Sequence, residues 1–108
     1  AFPLWLAPVQ ARILTVTDAQ KQYAENVFEQ LRRDDWRSEL DDRNEKLGYK
    51  IREAQLAKIP YALVIGDKEV AAETVAPRRC GGENLPPEKL AGFIERLRAE
   101  VAREIGEA

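Results

Sequence analysis

The segment from Asp42 to Glu69, DRNEKLGYKIREAQLAKIPYALVIGDKE, carries two different periodicities that meet at Pro60. Upstream, Leu47, Ile51 and Ala54 recur at helical spacing and predict a helix with one face against a core. Asn44 is placed to cap that helix as it begins at Glu45 and Lys46, because its side-chain oxygen can accept a free backbone N–H. Ile59 precedes proline and is pushed out of the α region, so the helix should stop there. Downstream, Tyr61–Ala62–Leu63–Val64–Ile65 is apolar without alternation, the pattern of a central strand covered on both faces. Gly66–Asp67 ends it. One helix–strand unit is thus flanked by two polar ends, RNEK and GDKE.

The rest of the chain arranges itself around that unit. Val9, Ala11 and Ile13 alternate within Val9–Val16, which predicts the first strand. Thr17 with Gln20 spells a capping box, and Asp18 suits the first turn of a helix. Ala24, Val27, Phe28 and Leu31 line one face of that helix to about Arg33. Asp34–Asp35 then turn the chain. Arg37–Leu40, of mixed polarity, reads as an edge strand. Asp67–Ala72 is a turn or short helix. Thr74–Arg79 contains Pro77 and so belongs away from the sheet centre. Cys80–Asn84 is a loop, and Glu83–Leu85 predicts a small last strand. Pro86–Pro87–Glu88 opens the final helix, whose stripe is Leu90, Phe93, Ile94, Leu97, Val101 and Ile105. Strands alternating with helices imply a largely parallel sheet with helices on both faces.

Composition removes several functions. The 108 residues suffice for one domain. No apolar run approaches the roughly 20 residues that span a bilayer, and Ala1–Pro8 has no signal-peptide pattern. No membrane role and a cytoplasmic setting are therefore expected. Cys80 is the only cysteine, which excludes an internal disulfide and fits a reducing compartment. There is no histidine, so Ser–His and Cys–His catalysis and the commonest zinc sets are excluded. A net charge of −2 is not the footprint of a strong nonspecific nucleic-acid binder. The chain lacks an initiator Met, and a fragment of a longer protein is expected.

RNEK-x-G-x-K-I-R-E followed by P-Y-x-L-V-x-G-D-K-E, with FPLWLAPVQ at Phe2–Gln10, resembles the C-terminal anticodon-binding domain of class II aminoacyl-tRNA synthetases, most closely the threonyl enzymes. The resemblance covers roughly Phe2 to Arg98. It implies a three-layer α/β/α fold whose five-stranded mixed sheet has the order 2-1-3-4-5 with strand 4 antiparallel. It further implies that residues 1–8 are a linker from an absent catalytic domain and that 9–108 are the anticodon-binding domain. The partner implied is threonine tRNA, whose anticodons end in G and U. ATP, Mg2+ and zinc would serve the catalytic domain of a homodimeric parent, leaving this chain without catalysis or cofactor of its own. The prolyl, histidyl and glycyl enzymes share looser forms of the motif. A stand-alone interaction module with the same fold is a further reading, favoured by the acidic balance. A flavodoxin-like enzyme fails for want of a phosphate loop, since Gly81–Gly82 lacks the Walker pattern.

By motif position, Asn44, Glu69 and Arg78 match residues that contact anticodon bases in the threonyl family, and Lys46 matches one close by. The chemistry fits. Arg donates two parallel bonds to guanine O6 and N7, Glu accepts from N–H groups, and Asn does both. Asn44 is equally a helix cap, and Glu69 with Arg78 equally a surface ion pair. Arg43, Lys50, Arg52, Lys58 and Arg79 are candidate phosphate contacts, or else a solvated helical face interleaved with Glu45 and Glu53. The family usually carries more basic residues where this chain has Cys80–Asn84. Trp36 and Tyr49 can stack on bases or lie half-buried in the domain.

Overall fold

The computed structural model describes residues 2–106; Ala1 of the expected linker and Glu107–Ala108 of the expected domain lie outside the described residues. A 3₁₀ turn at Leu4–Leu6 precedes β1 (Ala11–Thr15), a second 3₁₀ turn (Asp18–Gln20) and α1 (Lys21–Arg33). Then come β2 (Ser38–Asp41), α2 (Leu47–Leu56), β3 (Tyr61–Ile65), α3 (Asp67–Ala72), β4 (Ala76–Arg79) and α4 (Leu90–Glu104). The sheet order is β2-β1-β3-β4. β1 runs parallel to both β2 and β3, and β4 is antiparallel to β3.

Strand alternation sorts the core into two layers. Ala11, Ile13, Tyr61, Leu63 and Ile65 meet Ala24, Val27 and Leu31 of α1 and Phe93 and Leu97 of α4. Leu14 and Ala62 on the other face meet Ala54, Leu47 and Ile51 of α2. β3 is therefore covered on both sides, as its unbroken apolar run requires. The Thr17–Gln20 capping box forms: Thr17 N donates to Gln20 Oε1 (2.7 Å) and Ala19 N to Thr17 Oγ1 (3.2 Å). Asp35 takes the left-handed conformation after α1 (φ 64°), and Lys58 does so after α2 (φ 57°). Behind Lys58, Ile59 N donates to Ala54 O (3.1 Å), closing the helix before Pro60.

Three expectations need correction. The sheet has four strands, not five. Residues 83–88 do run along β4, with Arg79 N donating to Glu83 O (2.8 Å) and Leu85 N to Pro77 O (3.0 Å), but they make only isolated bridges. Pro86 and Pro87 have no N–H and Pro77 offers none from β4, so a continuous ladder cannot form. Second, Asn44 does not cap α2. That helix starts at Leu47 behind an extended Lys46, with no side-chain cap bond. Third, α4 begins at Leu90, because Glu88 is drawn into backbone pairing with Val75. Its stripe is buried at Leu90, Phe93 and Leu97, while Ile105 stays exposed.

The segment Phe2–Pro8 folds against this domain. Leu4 and Ala7 are buried. Glu104 at the end of α4 accepts from Leu4 N (2.8 Å) and Trp5 N (2.9 Å), and Arg37 donates to Ala7 O and Trp5 O. Phe2, Trp5 and Leu6 remain exposed.

Candidate nucleic-acid interface

Parallel strands deliver their following loops to one edge. Here Val16–Thr17 after β1, Asp42–Lys46 after β2 and Gly66 after β3 emerge together at the carboxyl edge of β1, β2 and β3. In a sheet that begins 2-1-3, that edge holds the switch between β1 and β3, the position where open α/β sheets bind ligands. Gln20 Nε2 ties the first of these loops to Asp67 Oδ1 at the start of α3 (2.6 Å).

Asn44 and Lys46 stand exposed in the loop after β2, with no side-chain hydrogen bond among the described residues. Glu69 stands on the first turn of α3. Its Oε1 turns back to accept from Gly66 N (2.7 Å) in a capping arrangement, leaving Oε2 without a protein donor. Gly66 permits this: a Cβ there would come within 3.1 Å of that Oε1 and 3.3 Å of Val16. Arg78 lies back from this edge on β4, directly opposite Ala62 and therefore on the α2 side of the sheet. It is half-buried, and its guanidinium makes no hydrogen bond or ion pair among the described residues. Glu69 and Arg78 do not pair with each other, which removes the surface ion pair as their role.

The basic candidates divide sharply. Arg52 and Lys58 are exposed and make no ion pair among the described residues. Arg43 is committed to Asp41, through Nε and Nη2 (both 2.9 Å), and to Glu53, and its guanidinium lies 5.9 Å from the Tyr49 ring. Its contact holds the Asp41 carboxyl below the usual range.

Lys50 corrects the expectation outright. It is fully buried, so it is neither a solvated cation nor a phosphate contact; its Nζ donates to Thr15 O (2.9 Å), Thr15 Oγ1 (3.2 Å) and Asp41 O (3.4 Å). The reason is position: with Leu47, Ile51 and Ala54 it lies in the inward stripe of α2.

Arg79, too, leaves the phosphate set. Alternation along β4 sends it to the face opposite Arg78, where Nη1 and Nη2 grip Glu100 (2.7 and 2.8 Å). Tyr61 Oη donates to the same carboxylate (2.6 Å) and also contacts Arg79, whose guanidinium lies 4.9 Å from the Tyr61 ring. Burial and Glu100 push the Tyr61 hydroxyl well above its ordinary pKa, while Arg79 holds Glu100 below its own.

Of the aromatics, Trp36 packs against the core and donates from Nε1 to Asp34 (3.0 Å), whereas Tyr49 is exposed. Cys80 is half-buried, with Sγ 4.0 Å from Gln55 O. The chain's donors do not fit a zinc ion: it has one cysteine and no histidine, and no cluster of three metal-ligating side chains occurs among the described residues.

Asn44 and Lys46 thus stand exposed at the carboxyl edge, with Glu69 partly exposed beside them and Arg78 half-buried further back on β4. Residues 10–100 match the profile of the anticodon binding domain, and the chain belongs to that family. Among proteins similar to it in sequence are threonine–tRNA ligases. That of Maridesulfovibrio salexigens is 66% identical over 84 residues, 78% of this chain and 13% of the relative. That of Clostridium tetani is 50% identical over 107 residues, 99% of this chain and 17% of the relative. The chain thus spans about a sixth of the length of such relatives.

Among solved structures, the RNA binding domain of threonyl-tRNA synthetase from Cryptosporidium parvum superposes with a TM-score of 0.86 at 31% identity. The match covers 92% of this chain and 25% of that one. A prolyl-tRNA synthetase from the same organism reaches 0.82 at 20% identity, covering 95% of this chain and 23% of that one, which shows the shared fold alone.

Proposed function

We propose that this chain reads the anticodon of threonine tRNA on behalf of a longer threonine–tRNA ligase. The observation that carries the reading is the free state of Arg78, Asn44 and Glu69 Oε2 in a chain whose neighbouring cations, Arg43, Lys50 and Arg79, are all occupied by protein partners. Anticodon bases are single-stranded and present their edges. Arg78 supplies the two parallel donors that match guanine O6 and N7. Glu69 accepts from a base N–H, and Asn44 donates and accepts against a mixed edge such as uracil's. Lys46, Arg52 and Lys58 neutralise phosphates and fix the register of the stem-loop without reading sequence.

ATP-dependent activation of threonine, with its Mg2+ and zinc, belongs to other segments of the ligase, as do its dimer contacts; the setting is the cytoplasm. This chain supplies recognition of the tRNA and leaves catalysis to those other segments. The identity to threonine ligases favours them over the prolyl, histidyl and glycyl enzymes.

The experiment is a titration of this chain with threonine tRNA at several salt concentrations. Three cations assigned to phosphates, Lys46, Arg52 and Lys58, predict a slope of log K against log[salt] no steeper than about −3, and binding in the micromolar range or weaker. Nanomolar binding with a slope beyond about −6 would contradict the sorting of free from occupied cations.

A further inference from the structure

We propose that Lys50 is a positioning residue that holds Asn44 in its base-reading place. This rests on the anticodon-reading role proposed above for Asn44. A lysine taken fully out of water is costly unless its donors are satisfied. Nζ spends its three donors on Thr15 O, Thr15 Oγ1 and Asp41 O, all at the carboxyl ends of β1 and β2. A methionine would fill the same stripe position without that cost, so the ammonium is there for what it binds.

It binds the root of one loop. Lys50 Nζ meets Asp41 O just before the loop (3.4 Å), and through Thr15 it fastens that root to the end of β1. The far end is held by the backbone, where Lys50 N donates to Lys46 O in the first turn of α2 (3.1 Å), so the side chain fixes the entrance of the segment carrying Asn44. A second tie lies within: Asp41 Oδ1 accepts from Arg43 N (3.3 Å), and the Arg43 guanidinium reaches Glu53 on α2. Asn44 is bracketed by anchored residues while its own side chain has no hydrogen-bond partner among the described residues. A segment ordered before binding spares the entropy of ordering it then, which amounts to about fivefold or more in affinity for each backbone residue.

The test is Lys50→Met in the full-length protein, read in two ways. Amide hydrogen exchange, followed by mass spectrometry, should quicken in the peptides covering residues 42–46 while those covering β3 and α4 stay protected. Affinity for threonine tRNA should fall about tenfold or more. The loss should vanish when Asn44→Ala is already present, yet persist in full beside Arg78→Ala. Unchanged exchange at residues 42–46 overturns the proposal, as does faster exchange throughout the fold, and so does a loss equally large with and without Asn44. An Asn44→Ala protein that binds the tRNA normally refutes instead the reading role of Asn44; exchange then still decides whether Lys50 holds the segment. If Lys50→Met does not fold, Lys50→Gln, which keeps a shorter donor, carries the same two measurements with smaller changes.

Discussion

Replacing Glu100 tests whether Arg79 serves the fold or the RNA. Glu100 is 7% exposed and accepts three hydrogen bonds, from Tyr61 Oη at 2.6 Å and from the Arg79 fork at 2.7 and 2.8 Å. Hydrogen bonds to charged groups contribute about 1.5–3 kcal/mol each. The Arg79 side chain is 38% exposed, so water takes over part of its share. Tyr61, at 1% exposure, has no such recourse and keeps only its contact with Arg79. Glu100→Ala should therefore cost about 2–4 kcal/mol, and Tyr61→Phe about 0.5–1.5 kcal/mol. Urea denaturation followed by circular dichroism gives both values. The pair Arg79→Ala and Glu100→Ala should fall short of additivity by about 1–2 kcal/mol. A Glu100→Ala cost under about 0.5 kcal/mol would refute the reasoning. So would an Arg79→Ala protein of normal stability whose salt slope for tRNA is shallower by about one, since that marks a phosphate contact.

Two further outcomes follow from the same geometry. Leu97 is fully buried between α4 and the sheet, so Leu97→Ala should cost about 2–5 kcal/mol in the same denaturation series, and a few tenths would place α4 elsewhere. Arg43 and Arg79 hold the carboxyls of Asp41 and Glu100 below their unfolded values, so the folded chain binds fewer protons. Their stabilisation is fully present above the ordinary carboxylate range, about 3.9–4.3, and is lost as pH falls through that range and the depressed folded values beneath it. Denaturation at stepped pH should show that loss, and Glu100→Gln should flatten it; an unchanged profile would remove Glu100 as its source.

What was legible in the sequence was whatever depends on neighbours along the chain. The stop at Pro60, the buried run Tyr61–Ile65 and the Thr17–Gln20 box are local decisions, and all three formed. The fifth strand misread the two prolines at 86 and 87, which supply acceptors but no donors. Asn44 misled because its preference for capping is real, but the chain bends at Asn44–Glu45 and is extended at Lys46, so α2 opens only at Leu47. At the site, charge type was visible and commitment was not. Lys50, Arg52 and Lys58 look alike in sequence, but Lys50 falls within the Leu47–Ile51–Ala54 stripe, a clue in the spacing itself, whereas Lys58 continues that spacing only beyond the end of α2. Glu100 left the same clue, lying three residues after Leu97 on the buried face of α4. Arg78 and Arg79 are adjacent, and strand alternation alone sends one to Glu100 and leaves the other free.

The base-reading claim rests most directly on Arg78. A double-mutant cycle in the full-length protein pairs Arg78→Ala with replacement of the guanine in the threonine anticodon. A bidentate contact predicts a loss of about 1–3 kcal/mol against the native anticodon and far less once the guanine is gone. Glu69→Gln, which keeps size and removes charge, should show the same coupling at a neighbouring base. Equal losses with and without the guanine would mean a phosphate contact, which carries no sequence information. Zero coupling at both positions would contradict the account and return the chain to the reading of a fold kept for protein interaction.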